Sequence, residues 1–255
     1  MACVRIEHSP AAVATFTLAR PDKLNALNAE LLDELRAAVD DVGRSDARCL
    51  LITGEGRGFS SGADLGASIS DDLGAEIERR YNPLIEALAA LPIPIVAAVN
   101  GVCAGAGCSL ALAADIVIAA RSAYFVFAFV NIGLIPDAGA TWLLPRLIGR
   151  ARALELMLLG EPVYAEEAQQ WGLIARMVED EFLAEEAMAM AVRLAQGPTK
   201  ALGLVRKLAR NADRLSLGEA LQAERDAQRE AGRSEDFRAA VAAFLEKRQP
   251  QFRGR

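Results

Sequence analysis

The chain contains 255 residues with a mass of 27.2 kDa, of which 53% are hydrophobic and 24% are charged. These values are typical of one globular domain with a sizeable apolar core, and they exclude a disordered chain, a collagen-like repeat and a coiled coil. The formal net charge is −6, and no window holds the dense lysine and arginine stripe that a nucleic-acid partner would need.

The cysteines and the single histidine limit the environment and the catalytic mechanisms that we expect for this chain. The four cysteines show no CxxC spacing, and the first residues include Arg5, Glu7 and His8 where a secretory signal would be apolar. We therefore expect a reducing, cytoplasmic environment. Since His8 is the only histidine, a Ser-His-Asp triad, a Cys-His pair and a multi-histidine zinc site would all depend on that one imidazole, and histidine chemistry is not expected.

Strand and helix patterns alternate through the first half of the chain. The predicted strands cover residues 4–6, 13–18, 49–53, 95–99 and 116–120. The predicted helices cover about residues 30–42 and 76–91, and a third begins near Gly107. Short apolar strands that are separated by helices are typical of a sheet that is buried on both faces. The sequence therefore predicts an α/β fold.

Residues 91–114 carry no charge and are long enough to span a bilayer. This stretch contains Pro92, Pro94, Asn100 and several glycines, which would interrupt a helix that faces lipid. We therefore predict a buried strand, a loop and a helix here, and no membrane association.

Helical patterns dominate after Gly139, with one further strand expected at residues 175–178. Gly197 and Pro198 interrupt two long helical patterns, which predicts a boundary between a core of residues 1–196 and a helical region of residues 197–255. Such a region holds little core of its own, so we expect it to pack onto another subunit.

Two loops rich in small residues follow predicted strands. Residues 58–65 read GFSSGADL, and residues 100–107 read NGVCAGAG before a helix whose first amides carry partial positive charge. Each loop has two interpretations: a tight connection, with Asp64 capping a turn in the first, or half of an oxyanion hole. A dinucleotide-binding motif is not matched, because Leu110 stands where its third glycine belongs, and a P-loop is excluded because the chain has no Gly-Lys dipeptide.

One carboxylate, Asp137, follows a long apolar stretch. Its local sequence is consistent with a cap for the next helix. Apolar surroundings would also raise the pKa of this carboxyl toward the range that suits a general base, and the two interpretations are compatible. Serine hydrolysis is not expected, since no histidine lies near Ser60, Ser61 or Ser109 and no SxxK motif is present.

Taken in order, five segments resemble the enoyl-CoA hydratase/isomerase (crotonase) superfamily. They are residues 20–28 (RPDKLNALN), 61–65 (SGADL), 98–107 (AVNGVCAGAG), 133–136 (GLIP) and 243–248 (AFLEKR). The resemblance implies a crotonase-like spiral of ββα units with a C-terminal helical trimerisation region, and hence a homotrimer or hexamer. It also implies an acyl-CoA thioester as substrate, whose carbonyl is held by the backbone amides of Ala63 and Ala106. Because CoA is part of that substrate, no metal or separate cofactor is implied.

The chain departs from the hydratase pattern of this family. The hydratases use two glutamates, and the matching positions here are Ser109 and Phe129, neither of which can activate water. Isomerases of the family place an acidic residue a few positions later, where this chain has Asp137. Segments such as residues 81–84 (YNPL) and 141–146 (TWLLPR) resemble most the 1,2-epoxyphenylacetyl-CoA isomerase branch of phenylacetate degradation.

The resemblance implies an isomerase mechanism. The two amides would stabilise an enolate of the thioester, and Asp137 would remove a proton and return it at another carbon. The product is a shifted double bond or, from a ring epoxide, an oxepin, in phenylacetate or fatty-acid catabolism. Two alternatives are a hydratase that uses Asp137 alone and a catalytically silent acyl-CoA-binding scaffold.

Other substrate contacts are implied by the matching segments. They are Ser61, Asp64, Leu65, Tyr81, Gly105, Gly107 and Phe129. The CoA phosphates need a local cation in an acidic protein, and the candidates are Lys23 and, from the tail of a neighbouring subunit, Lys247. For each of these lysines the alternative is a solvated surface side chain.

Overall fold

A computed structural model describes residues 2–66 and 71–255. The strands in these residues are β1 (Val4–His8), β2 (Val13–Leu18), β3 (Cys49–Gly54), β4 (Gly58–Ser60), β5 (Ile95–Val99), β6 (Val102–Ala104), β7 (Ile116–Ala120), β8 (Tyr124–Val126), β9 (Pro162–Tyr164) and β10 (Arg176–Val178). The α-helices are α1 (Ala29–Val42), α2 (Leu73–Glu76), α3 (Asn82–Ala90), α4 (Ala106–Leu112), α5 (Ala140–Leu159), α6 (Ala165–Trp171), α7 (Leu183–Ala195), α8 (Thr199–Asn211), α9 (Leu217–Ala231) and α10 (Glu235–Leu245). A π-helical turn, Ile77–Tyr81, joins α2 to α3.

The strands form two sheets. The larger sheet has the order β1-β2-β3-β5-β7-β10, and only its β1–β2 pair is antiparallel. The smaller sheet has the order β4-β6-β8-β9. Along the chain each of β3, β5 and β7 is followed by a strand of the smaller sheet and then by helix. This repeated strand-strand-helix order confirms the predicted spiral of ββα units.

The core lies where the pattern of apolar residues predicts it. All five residues of β5 are buried, as expected for a central parallel strand covered on both faces. Helix α1 buries the stripe that includes Leu31 and Leu35, and the side chain of Asn28 caps its first turn by accepting a hydrogen bond from the Leu31 N–H at 3.0 Å.

The uncharged stretch of residues 91–114 contains β5, β6 and α4. Across the described ranges, no helix combines the length and the apolar character that crossing a membrane requires. The prediction of a strand, a loop and a helix is confirmed, except that the loop contains the short strand β6.

The strands of the smaller sheet are not predicted by the sequence patterns. Each of β4, β6, β8 and β9 is three residues long. Three residues are too few to show a period of two, and these strands are specified by partners that are distant in sequence. Strand β9 also corrects the expectation that residues 175–178 hold the one strand after Gly139.

Helix α8 is tied into the core by Arg206. The guanidinium pairs with Asp115 at 2.6 Å and donates to three backbone carbonyls at the end of α3, and its side chain is 4% exposed. A β-carbon built on Gly203 would lie 2.2 Å from the Pro92 carbonyl oxygen, so α8 approaches the core more closely than a side chain allows. The domain boundary at residue 197 stays a prediction, and α8 is held against the core by Arg206 and by the close approach at Gly203.

Helices α9 and α10 expose apolar side chains. On α10, Phe237 is 50% exposed and Phe244 is 81% exposed. Phe252 lies beyond α10 and is half-buried, and its carbonyl accepts a hydrogen bond from Arg48 at 3.1 Å. Exposed aromatic side chains of this kind are typical of contact surfaces. The homotrimer or hexamer stays a prediction.

Candidate active site

The two small-residue loops lie against each other. A β-carbon built on Gly62 would lie 2.8 Å from the Ala104 carbonyl oxygen and 3.5 Å from the Gly105 α-carbon. The φ angles of Gly62 and Gly105 are 86° and 50°, a region that glycine enters without strain. This contact brings the amides of Ala63 and Ala106, each one residue further on, to the same edge of the smaller sheet.

Within residues 2–66 and 71–255, neither of these two amides is occupied by the protein. Leu27 and Ala63 form an isolated parallel β-bridge. The Leu27 N–H donates to the Gly62 carbonyl at 2.7 Å, and the Asp64 N–H donates to the Leu27 carbonyl at 3.1 Å. In this pattern the Ala63 N–H points away from Leu27. Ala106 is the first residue of α4, where an amide has no partner within the helix. Among the described residues, neither N–H donates a hydrogen bond to the protein.

Asn25 and Ser60 hold the first loop in place. Asn25 is fully buried, and its Nδ2 donates to the carbonyls of Glu55 at 2.9 Å and Gly58 at 2.8 Å. The Ser60 hydroxyl donates to the Asn25 carbonyl at 2.9 Å and accepts from the Gly62 N–H at 3.2 Å. Sequence patterns do not predict this structural role of Asn25. The one feature that could have pointed to it is a polar residue between two apolar neighbours.

Asp64 is engaged by the protein itself. Its carboxylate accepts hydrogen bonds from Arg20 Nη2 at 2.8 Å and from the Gly66 N–H at 3.2 Å. The hydrogen bond from Arg20 lowers the pKa of Asp64, so this carboxylate is ionised at neutral pH. The geometry matches the turn-capping interpretation of Asp64, and its contact with a substrate stays a prediction.

Asp137 has a different environment. Its Oδ1 is buried and has no hydrogen-bond partner within residues 2–66 and 71–255. Burial raises the pKa of Asp137 to about 6. The N-cap of α5 is Gly139, and no side chain caps this helix, so the interpretation of Asp137 as a helix cap is wrong. A buried carboxylate oxygen without a partner costs free energy, and such groups are typical of functional sites.

Two aromatic side chains lie near site residues, one beside Gly105 and one near Asp137. The Phe129 ring is buried, and its Cζ lies 3.8 Å from the position that a Gly105 β-carbon would take. Burial and the nearby charge of Asp137 raise the pKa of Tyr81 to about 12, so the phenol is neutral at physiological pH. The structure therefore places Phe129 beside Gly105 and Tyr81 near Asp137.

Helix α4 links the second loop to Asp137. Gly107 lies so close to β4 that its β-carbon would be 2.7 Å from the Ser60 β-carbon. Ser109 is fully buried, and its hydroxyl donates to the backbone carbonyl of Asp137 at 2.9 Å. This contact joins residues 28 positions apart, and no sequence pattern predicts it.

The remaining predicted contacts lie at the rim. The Ser61 hydroxyl donates to the Lys23 carbonyl at 3.3 Å, so Lys23 adjoins the first loop, and its side chain is exposed. Leu65 is also exposed on that loop. Lys247 is exposed after the end of α10, and its role toward a neighbouring copy stays a prediction.

A possible set of metal ligands lies near the N-terminus. The Cys3 Sγ and carboxylate oxygens of Glu30 and Glu34 lie within 4.8 Å of one another. Burial and the two carboxylates raise the pKa of the Cys3 thiol, which disfavours the thiolate that a metal binds. Glu34 already accepts a hydrogen bond from the Val4 N–H at 2.8 Å. These contacts favour a structural role for the cluster.

Known proteins share both the sequence and the fold. Residues 8–255 match the family model described as Enoyl-CoA hydratase/isomerase. The chain is 52% identical over 257 residues to 1,2-epoxyphenylacetyl-CoA isomerase from Escherichia coli (strain K12), covering 98% of each chain. It is 36% identical over 247 residues to 2,3-dehydroadipyl-CoA hydratase from the same organism, covering 95% of this chain and 96% of that one. The crystal structure of enoyl-CoA hydratase from Bacillus anthracis superposes with a TM-score of 0.95 at 32% identity, covering 99% of this chain and 100% of that one.

The chain therefore belongs to the enoyl-CoA hydratase/isomerase family, which confirms the resemblance and the fold inferred from the sequence. It is an enzyme of the hydratase/isomerase type. Because its relatives include both isomerases and hydratases, the residues at the site decide between these reactions.

Proposed function

We propose that this enzyme is an acyl-CoA isomerase in which Asp137 moves a proton between two carbons of a CoA thioester. The Asp137 carboxylate carries the proposal: it is half-buried, and its Oδ1 has no partner in the described structure. Burial raises its pKa to about 6, and a general base is most effective when its pKa lies near the working pH.

The amides of Ala63 and Ala106 supply the second element of the mechanism. Both follow loops that touch at Gly62 and Gly105, and neither is used by the protein within the described ranges. Two such donors on the thioester oxygen stabilise the enolate that forms when a neighbouring C–H loses its proton. Each preorganised donor of this kind contributes about 10²–10³ in rate.

Return of the proton at a different carbon completes the isomerisation. On a β,γ-unsaturated thioester the product is the α,β isomer, and on a ring epoxide the same polarisation assists expansion to an oxepin. The 52% identity to an epoxyphenylacetyl-CoA isomerase supports an aromatic ring substrate and a role in phenylacetate catabolism.

Hydration is disfavoured by the side chains around the base. Water addition needs a carboxylate that orients and deprotonates water and an acid that protonates the α-carbon. Ser109 donates its hydroxyl to a backbone carbonyl, and Phe129 offers only a buried ring beside Gly105. Asp137 alone supplies half of what a hydratase requires.

Binding of the CoA portion follows from the rim of the site. Lys23 adjoins the first loop and is exposed, which suits a contact with a CoA phosphate. Lys247 from a neighbouring copy would supply a second cation in a trimer or hexamer. No metal or separate cofactor enters this mechanism, and the proposed location is the cytoplasm.

The experiment that tests the proposal is turnover and proton exchange with a panel of thioesters. Aromatic ring-epoxide and linear 3-enoyl CoA thioesters are incubated with enzyme in D2O, and product and deuterium content are measured by mass spectrometry. We expect isomerised product with deuterium at the carbon that receives the proton, and recovered substrate with deuterium at the carbon next to the thioester. Thioesters that bind without exchange or turnover would identify a silent acyl-CoA-binding scaffold instead.

A further inference from the structure

Helix α4 carries two groups that point to different parts of the site. Ala106 is its first residue and supplies an unused amide, and Ser109, three residues later, donates its hydroxyl to the Asp137 carbonyl at 2.9 Å. Residues three apart lie on one face of a helix, so a single turn of α4 spans the distance from the amide to the Asp137 loop.

The Asp137 loop needs external support to keep its shape. Ala138 has φ 48° and Gly139 has φ 89°, and the left-handed region is strained for alanine. The Asp137 carbonyl accepts from the Ala140 N–H at 3.0 Å and from the Ser109 hydroxyl at 2.9 Å. Among these contacts, the Ser109 bond is the one that reaches the loop from another element.

We propose that Ser109 is a positioning residue, whose hydroxyl fixes the Asp137 backbone so that the carboxylate is held toward the amides of Ala63 and Ala106. This inference rests on the proposed function, because it assumes that Asp137 is the base. The first turn of α4 then sets the separation between the oxyanion donors and the base.

The surroundings of Asp137 make the positioning role of Ser109 measurable through the pKa of the Asp137 carboxyl. In the described structure the titratable group that faces it is Tyr81, and burial rather than a charged neighbour raises the pKa of Asp137 to about 6. A loop that loosens lets water reach the carboxylate, so its pKa falls toward the ordinary value. The pKa of Asp137 therefore reports how firmly the loop is held.

The test compares Ser109→Ala and Ser109→Cys with the unmodified enzyme. Asp137 is titrated by NMR of ¹³C-labelled carboxyl groups without substrate, and kcat and KM are measured as functions of pH. For Ser109→Ala we expect a lower Asp137 titration midpoint and kcat reduced about 10–100-fold with KM nearly unchanged, since misplacement by about 1 Å costs about 10². Ser109→Cys retains similar volume and a weaker donor, so we expect shifts in the same direction but smaller.

Thr53→Val is the matched control. The Thr53 hydroxyl donates to the Ala98 carbonyl at 2.9 Å inside the larger sheet, so this variant also loses a hydroxyl bonded to backbone. It should leave the Asp137 titration and kcat unchanged. An Asp137 titration midpoint in both Ser109 variants equal to that of the unmodified enzyme would overturn the proposal, as would an equal shift in Thr53→Val. If no thioester is turned over, the isomerase assignment fails, whereas the substrate-free titration still decides the role of Ser109.

Discussion

Replacing Asp137 by asparagine should stabilise the protein at high pH. The folded state raises the pKa of Asp137 from its ordinary value of 3.8 to about 6. Below pH 3.8 this carboxyl is protonated in both the folded and the unfolded chain, so its shift has no effect on stability. Between pH 3.8 and about 6 the unfolded chain ionises this carboxyl while burial keeps it protonated in the folded state, so stability is lost across this range and the loss is complete once the pH has risen through 6.

The magnitude follows from the size of the pKa change. A rise from 3.8 to about 6 corresponds to about 3 kcal/mol against the ionised form, at about 1.4 kcal/mol per tenfold change in proton affinity. Solvent that still reaches the half-buried side chain reduces the expected gain for Asp137→Asn to about 1–2 kcal/mol at pH 8. About half of that gain remains at pH 5.

Urea unfolding at pH 8 and pH 5, at one protein concentration, measures both values. Comparing the two pH values cancels any constant difference between the amide and the neutral carboxyl. Asp46→Asn, which changes an exposed carboxylate, is the control and should alter stability little at either pH. A stability difference between Asp137→Asn and the unmodified protein that is the same at pH 8 and pH 5 would refute the claim that Asp137 is held in a desolvating site.

Three further outcomes are expected. The pH profile of kcat/KM should fall on its acid side with an apparent pKa near 6, because Asp137 must be ionised to act as a base, and a limb near pH 4 would contradict this. Gly62→Ala should lower kcat/KM by about 10²–10³, because its β-carbon would meet the Ala104 carbonyl at 2.8 Å. Gly218→Ala, in α9 with φ outside the left-handed region and nothing within 4 Å, should have little effect. Hydration of crotonyl-CoA, followed by loss of enoyl absorbance, should be far below about 10 per second, and a rate at that level would favour a hydratase.

The larger sheet and the long helices could be predicted from the sequence because their signals are local. Strand β5 has five consecutive buried residues, and α1 shows a clear helical stripe after a capping asparagine. The strands of the smaller sheet carry no such signal, since each is three residues long and is defined by pairing across the fold. Local pattern therefore identifies the fold class but only one of its two sheets.

The candidate site likewise combines residues that have a local sequence signal with contacts that only the tertiary structure defines. Asp137 stands out as one carboxylate after an apolar stretch, and the glycines of the two loops stand out by composition. The contact of Ser109 with Asp137 and the ion pair of Arg20 with Asp64 join residues 28 and 44 positions apart. Their partners are set by tertiary structure, so the sequence alone gives the participants without the contacts that orient them.

Turnover by Asp137→Asn tests the central claim most directly. The amide retains the size of the side chain and removes the base, so affinity for a CoA thioester should be nearly unchanged, as measured by calorimetry. Isomerase kcat should fall by about 10²–10⁴, the usual contribution of a general base. An Asp137→Asn enzyme that isomerises the same thioester at a near-normal rate would contradict the assignment of Asp137 as the proton-transfer group.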